Sequence, residues 1–283
     1  MNNGWLIYSK SDAEKNHAYI NWMLEEAGLF GISLDLHFRE DFQIGYQNQE
    51  LFLSLHGNSI DLPGFAIVRT IDPFFTKQLE LMGVKCYNSS FVSEICNDKA
   101  KTHQYLSTYG IPMADTLFYE TSLDRVFSFP YIVKEVHGRG GNAVFLAGNE
   151  NDKKNIRLDP HGKWIVQKPA QLGKDVRVFV IGKKVIAAVL RQSDRDFKAN
   201  FTLGGSASLY ELSEDERLLA EKIASLFDFG LAGIDFIFNE DGSLLLNEIE
   251  DVVGSRTLSM LSDINLVREY LTFILDDLNA RSE

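Results

Sequence analysis

The hydrophobic pattern changes character about a third of the way along the chain. Early on, short apolar runs alternate with helical periodicities. Trp5 to Tyr8, Ile32 to Phe38, Phe65 to Thr70 and Val84 to Tyr87 read as strands. Asp12 to Ala27 reads as a helix ended by Gly28, and Phe75 to Met82 as a shorter one. Strands alternating with helices predict a small, mostly parallel α/β layer.

A boundary is expected near residues 88–97. Asn97 or Asp98 caps a helix running to about Thr108, which Gly110 and Pro112 stop. Beyond it strands come in hairpins: Tyr131–Val136 with Ala143–Leu146, Val176–Ile181 with Lys184–Arg191, and Gly233–Phe238 with Leu244–Glu250. Before the last pair, Ser213 and Glu216 form a capping box. Leu218, Leu219, Ile223, Leu226 and Phe227 give that helix an apolar face. A further amphipathic helix spans roughly Asn265 to Leu278. The expected class is therefore α/β followed by α+β.

Composition narrows the function. A chain of 283 residues is long for one core, so two or three subdomains are expected. Hydrophobic residues make up 45% and charged residues 24%, as in globular enzymes. A net charge of -12 gives no electrostatic help in holding a nucleic-acid backbone, so no nucleic-acid partner is expected. Cys86 and Cys96 form no C-x-x-C and read as small buried hydrophobes in a reducing compartment. No basic segment leads into an apolar run at the N-terminus, and no stretch of about 20 apolar residues occurs. A cytoplasmic protein without membrane contact is the expectation. The pattern leaves monomer and dimer open.

The richest chemistry lies in Gly233 to Glu250. With Asp241-Gly242 as the central turn residues, Glu240 pairs with Ser243, and counting back places Asp235 opposite Glu248. Side chains alternate faces, so Glu250 joins them. Ile234, Phe236, Phe238, Leu245 and Ile249 take the other face. Opposed side chains sit about 5 Å apart, where like charges repel. A hard cation such as Mg2+ resolves that repulsion.

Two more segments suit phosphate chemistry. Lys134 precedes a loop containing Gly138, Gly140 and Gly141, whose small residues let backbone N–H groups approach phosphate oxygens. The loop is neither a Walker motif nor a Rossmann fingerprint. Arg191 leads into a loop with Arg195, Lys198 and Asn200, cations and donors of the kind a transferring phosphoryl group needs. The six histidines have no zinc-type spacing, and no G-x-S-x-G elbow occurs.

In this order the motifs resemble the ATP-grasp family, and within it RimK-type ligases, which add glutamate to a carboxylate. The resemblance runs from Asn97-Asp-Lys-Ala-Lys-Thr102 through Pro130 to Lys134, Ile165 to Lys168, Asp175 to Arg177 and Arg191 to Asn200. It ends at Gly233-Ile-Asp235 and Asn247-Glu-Ile-Glu250. It implies an N-terminal α/β domain over 1–95 and two α+β subdomains, 96–166 and 167–283, clasping ATP. It also implies an acyl-phosphate route to an amide. Lys99 and Lys134 would contact ATP phosphates, Gln167 and Lys168 line the adenine hinge, and Asp175 hold the ribose. Lys198 and Asn200 would face the phosphates and metal. Asp235, Glu248 and Glu250 would bind one or two Mg2+ ions, with Mn2+ as an alternative. Arg191 would steady the acyl-phosphate and the tetrahedral state.

Departures from the family pattern bear on the substrate. Glu250 stands where the family commonly has Asn, and Lys198 where it commonly has Arg. The usual Pro-Gly after the last strand is replaced, and Arg256 nearby is placed to bind a substrate carboxylate. The substrates are expected to be an amino acid, peptide or protein. A phosphoryl transferase and an inactive nucleotide-binding scaffold are the competing readings.

Overall fold

The computed structural model describes residues 3–118, 122–138, 140, 143–193 and 205–281. In chain order the first elements are β1 (Asn3–Tyr8), α1 (Lys10–Lys15), α2 (His17–Leu29), β2 (Ser33–Phe38), β3 (Phe42–Gln47), β4 (Glu50–Leu55), β5 (Asn58–Ser59), β6 (Phe65–Val68), α3 (Pro73–Leu81), β7 (Lys85–Tyr87) and α4 (Ser90–Cys96). Strands β2-β1-β6-β7 form a four-stranded parallel sheet, as alternating strands and helices predict. The expected single helix over Asp12 to Ala27 is two. It breaks at Asn16, whose backbone is non-helical, and Ser9 caps the new start by accepting from the Asp12 N–H. Gly28 lies inside α2, and Gly31, at φ 68°, follows its end. Residues 42–59 form a separate antiparallel sheet, β3-β4-β5, that the sequence reading did not contain. Cys86 and Cys96 are buried and free.

Next come α5 (Lys99–Ser107), β8 (Thr116–Phe118), β9 (Tyr131–Glu135), β10 (Val144–Ala147), α6 (Glu150–Asn155) and β11 (Trp164–Gln167). Asp98 caps α5, accepting from the Lys101 N–H. The strands order as β10-β9-β11-β8, all antiparallel, around Tyr131, Val133, Trp164 and Val166.

The last part holds β12 (Lys174–Ile181), β13 (Lys184–Gln192), β14 (Ser206–Leu209), α7 (Glu214–Ser225), β15 (Leu231–Phe238), β16 (Leu244–Glu250), α8 (Arg256–Leu261) and α9 (Leu266–Ala280). The sheet order is β14-β13-β12-β15-β16. The Ser213–Glu216 capping box of α7 is present. Ala220, Ile223 and Ala224 face the core, whereas Leu218 is 55% exposed and off the expected face.

The two faces of this sheet divide the labour. Val176, Val178, Ile234, Phe236 and Ile249 bury one face with α7. On the other, Phe179, Ile181, Val189 and Leu231 join one core with Leu6, Ile20 and Met23 from the N-terminal layer and with Tyr270 and Leu271 of α9. Past that apolar end, the same face carries charge.

Candidate active site

The charged end is built by strand register. Asp175 pairs with Arg191 across β12 and β13, and Arg177 with Asp235 across β12 and β15. Asp235 pairs with Glu248, and Gly233 with Glu250, across β15 and β16. The route to that register differs from the count from a tight turn. Gly242, at φ 86°, closes a wider loop in which the Asn239 N–H donates to the Ser243 carbonyl, so Phe238 faces Leu244. The register then shifts between Asp235 and Phe236, leaving Asn247 opposite no residue. The two offsets cancel. Asp235 meets Glu248, but Leu246 takes the core position expected for Leu245.

Carboxylate oxygens of Asp235, Glu248 and Glu250 lie within 4.8 Å of one another. Such an all-oxygen donor set suits a hard divalent ion. The cluster is also laced with cations. Arg177 donates through Nε and Nη2 to both oxygens of Asp235, at 2.7 Å each, and through Nη2 to Glu250. Arg191 donates through Nε to Asp175 and through Nη2 to Asp235, at 2.8 Å. Among the described residues Glu248 pairs only with Lys99, whose Nζ lies 3.2 Å away and also donates to the Gly138 carbonyl. A carboxylate has about four lone-pair sites. Glu248 and Glu250 therefore keep acceptor capacity for a cation, and Asp235 keeps less. The residues fit Mg2+, with Glu248 the least committed.

The electrostatics follow from burial. Burial alone would raise the Asp235 carboxyl, but Arg177 and Arg191 outweigh it and hold it at about 2. Burial wins at Asp175, pushed up to about 6 despite Arg191. It also raises Glu250, against the pull of Arg177. Lys134 is buried; burial lowers its ammonium to about 8, opposed by Glu248 and reinforced by Lys99.

A cleft gathers Lys99, Lys134, Gly138, Gly140, Asp175, Arg191, Asp235, Asn247 and Glu248. Lys134 donates to the Asn247 Oδ1 at 2.6 Å. Most residues singled out from the sequence thus share one space. Gln167 does not line it; it is buried and donates to the Thr116 hydroxyl at 2.9 Å. Lys168 points at Asp115, 2.6 Å away. Gly141, Lys198 and Asn200 lie outside the described residues. Arg256 lines a neighbouring cavity with Arg177 and Arg191. Two site residues had been given no role. Arg177 was legible by alternation, two residues from Asp175 on the same face. Asn247 bridges to Lys134 because the bulge turns it there, and no local pattern announces that bulge.

Comparison with known proteins agrees with the geometry. Residues 96–274 match the RimK-like ATP-grasp domain. The probable alpha-L-glutamate ligase of Legionella pneumophila (strain Corby) is 33% identical over 230 residues, 77% of this chain and 73% of that protein. Beta-citrylglutamate synthase B of Homo sapiens is 29% identical over 246 residues, 78% of this chain and 64% of that protein. Among solved structures, the ATP-grasp ligase PsnB complexed with a phosphomimetic variant of its minimal precursor, Mg and ADP has a TM-score of 0.72 at 18% identity, over 99% of this chain and 98% of that one. D-alanine–D-alanine ligase from Bacillus anthracis complexed with ATP has a TM-score of 0.70 at 15% identity, over 99% and 98%.

The fold is that of the ATP-grasp ligases. The chain belongs to the RimK-like ATP-grasp family. It is an ATP-dependent ligase that forms carbon–nitrogen bonds. No helix among the described residues is long and apolar enough to cross a membrane.

The depressed Lys134 has a measurable consequence. Its protonated form, the one that attracts phosphate, prevails below about pH 8 in the free protein. kcat/KM for ATP is therefore expected to be level at neutral pH and to fall as pH rises through about 8. Lys134→Arg, which keeps its charge, is expected to move that fall upward. A profile identical in the two proteins would remove Lys134 from phosphate binding.

Proposed function

We propose that the protein joins a substrate carboxylate to an amine through an acyl-phosphate, with an amino acid such as glutamate as one partner and an amino acid, peptide or protein as the other. The observation that carries this reading is the ladder Arg177–Asp235–Glu248, in which Asp235 and Glu248 share one cleft with Arg191 and Lys134 while Arg177 and Glu250 line the adjoining cavity. Lys99 and Lys134 hold the phosphates of ATP, and the backbone around Gly138 and Gly140 covers them. Asp235, Glu248 and Glu250 would hold Mg2+. When bound, Mg2+ supplies Lewis-acid neutralisation of the phosphate oxygens.

The substrate carboxylate attacks the γ-phosphorus, ADP leaves, and an acyl-phosphate forms. The amine then attacks the acyl carbon and phosphate departs. Arg191 faces the oxyanion of that second step and stabilises it. Asp175 orients Arg191 by the ion pair described above. Lys198 and Asn200, with Gln167 and Lys168 near the base, are the remaining contacts that family resemblance assigns. The domain limits 1–95, 96–166 and 167–283 and a cytoplasmic site of action belong to the same reading.

The test is ADP and phosphate release from ATP and Mg2+ with pools of amino acids and peptides. Release that requires both a carboxylate and an amine, with an amide product seen by mass spectrometry, supports the ligase reading. A phosphorylated end product would replace it with phosphoryl transfer, and ADP binding without turnover in any pool with an inactive scaffold.

A further inference from the structure

The ionic cluster borders two spaces. Besides the nucleotide cleft there is a cavity of about 500 Å³, lined by Tyr19, Trp22, Arg69, Arg177, Ser255 and Arg256 among others. Gly140 and Arg191 belong to both, so the two spaces meet at the proposed reaction centre.

Arg69 follows β6 in the N-terminal layer and is only 7% exposed. Its Nε donates to the Tyr8 hydroxyl at 3.3 Å and its Nη2 to the Val253 carbonyl at 2.9 Å. The guanidinium carbon lies 5.1 Å from the centre of the Tyr19 ring. Among the described residues no carboxylate reaches ion-pair distance of it. Asp251, buried nearby, spends its oxygens on Asn88 and Asn97. The contrast with the neighbouring arginines is direct: Arg177 is held by Asp235 and Glu250, and Arg191 by Asp175 and Asp235. Withdrawing a guanidinium from water without an anion is costly. A second observation on the same wall is independent of charge. The Tyr19 hydroxyl is buried and has no hydrogen-bond partner among the described residues. Across the cavity, Arg256 also has no ion pair among them.

We propose that this cavity is the carboxylate-substrate subsite and that it takes a dianionic substrate. One carboxylate reacts beside Arg191 and Glu250. A second, non-reacting carboxylate is held by Arg69, with the Tyr19 hydroxyl donating to it and Arg256 closing the open side. The proposal deepens the ligase reading and rests on it.

Isothermal titration of the full chain, with and without ADP and Mg2+, tests it. The probes are succinate, glutarate and adipate, which vary the spacing of two carboxylates, against butyrate and 4-phosphonobutyrate. One dicarboxylate is expected to bind at least roughly tenfold tighter than butyrate. Arg69→Met is expected to erase that difference while ADP affinity stays unchanged. Arg69→Lys keeps the charge but loses the fork, so it is expected to fall between, and it guards against a folding defect in the first variant. Dicarboxylates that bind wild-type protein no better than butyrate would overturn the proposal without any variant. A preference for the phosphonate would overturn the carboxylate assignment. Wild-type protein that fails to bind ADP would instead count against the ligase reading, a separate signal in the same experiment.

Discussion

Glu248→Ala is expected to lower turnover roughly 10³-fold, equivalent to about 4 kcal/mol of barrier. Asp235 is gripped by two arginines and Glu250 by a short hydrogen bond from Arg177, whereas among the described residues Glu248 is met by Lys99 alone, at 3.2 Å, and so has most capacity left for a metal. Asp235 and Glu250 remain pinned by Arg177 in its absence. The loss is thus expected to be catalytic rather than structural, with a melting temperature within a few degrees of wild type. Removing one of three like charges even relieves some repulsion, which offsets the lost Lys99 contact. The Mg2+ concentration for half-maximal rate is the second readout, and it should rise. Turnover within tenfold of wild type at saturating Mg2+ would sink the assignment of Glu248 as a metal ligand.

That residue was legible in the sequence, although the hairpin reaches its register by another route. Alternation put Glu248 and Glu250 on one face and the turn count put Asp235 opposite. The count assumed a tight turn and no bulge, and both assumptions fail. They fail by one residue each in opposite senses, so the charged partners were right and the apolar ones, Leu245 for Leu246, were not. Hairpins whose ends carry strong turn signals were readable throughout. The sheet β3-β4-β5 was not, although Phe42, Ile44 and Tyr46 alternate with polar positions and pair with Leu55, Leu53 and Leu51; the connection Asn48-Gln49 carries no glycine or proline to mark the turn. The break at Asn16 was missed because neither a proline nor a glycine marks it. Nor does any local pattern reveal that α9 shares a core with α2, or that Arg69 reaches the site. Those are contacts between residues far apart in the chain, and periodicity speaks only of near neighbours.

Arg191→Met is expected to cost about 3–5 kcal/mol of stability near neutral pH, because it leaves Asp175 buried without its partner. The pH dependence separates this cause from a simple packing defect. Asp175 has a folded pKa of about 6, raised by burial above its ordinary 3.8. A carboxyl raised in the folded state destabilises it fully above the folded value. That penalty is relieved as pH falls toward the unfolded value, since the folded protein then takes up the proton first. Without Arg191 the folded value climbs further, so Asp175 is neutral over a wider range. Asp235 behaves oppositely. Its folded value of about 2 lies below 3.8, so its stabilisation is present above that range and fades only in strong acid, and Arg177 still grips it in the variant. Urea denaturation should therefore show the gap between wild type and variant narrowing from about pH 8 to about pH 5. A gap that stays constant across that window would mean that Asp175 is not left as an uncompensated charge. Turnover should drop by roughly 10²–10³-fold even where the variant is folded, as on loss of an oxyanion donor. Arg191→Lys should recover the stability more fully than the rate, because one ammonium cannot span Asp175 and Asp235 as the guanidinium does.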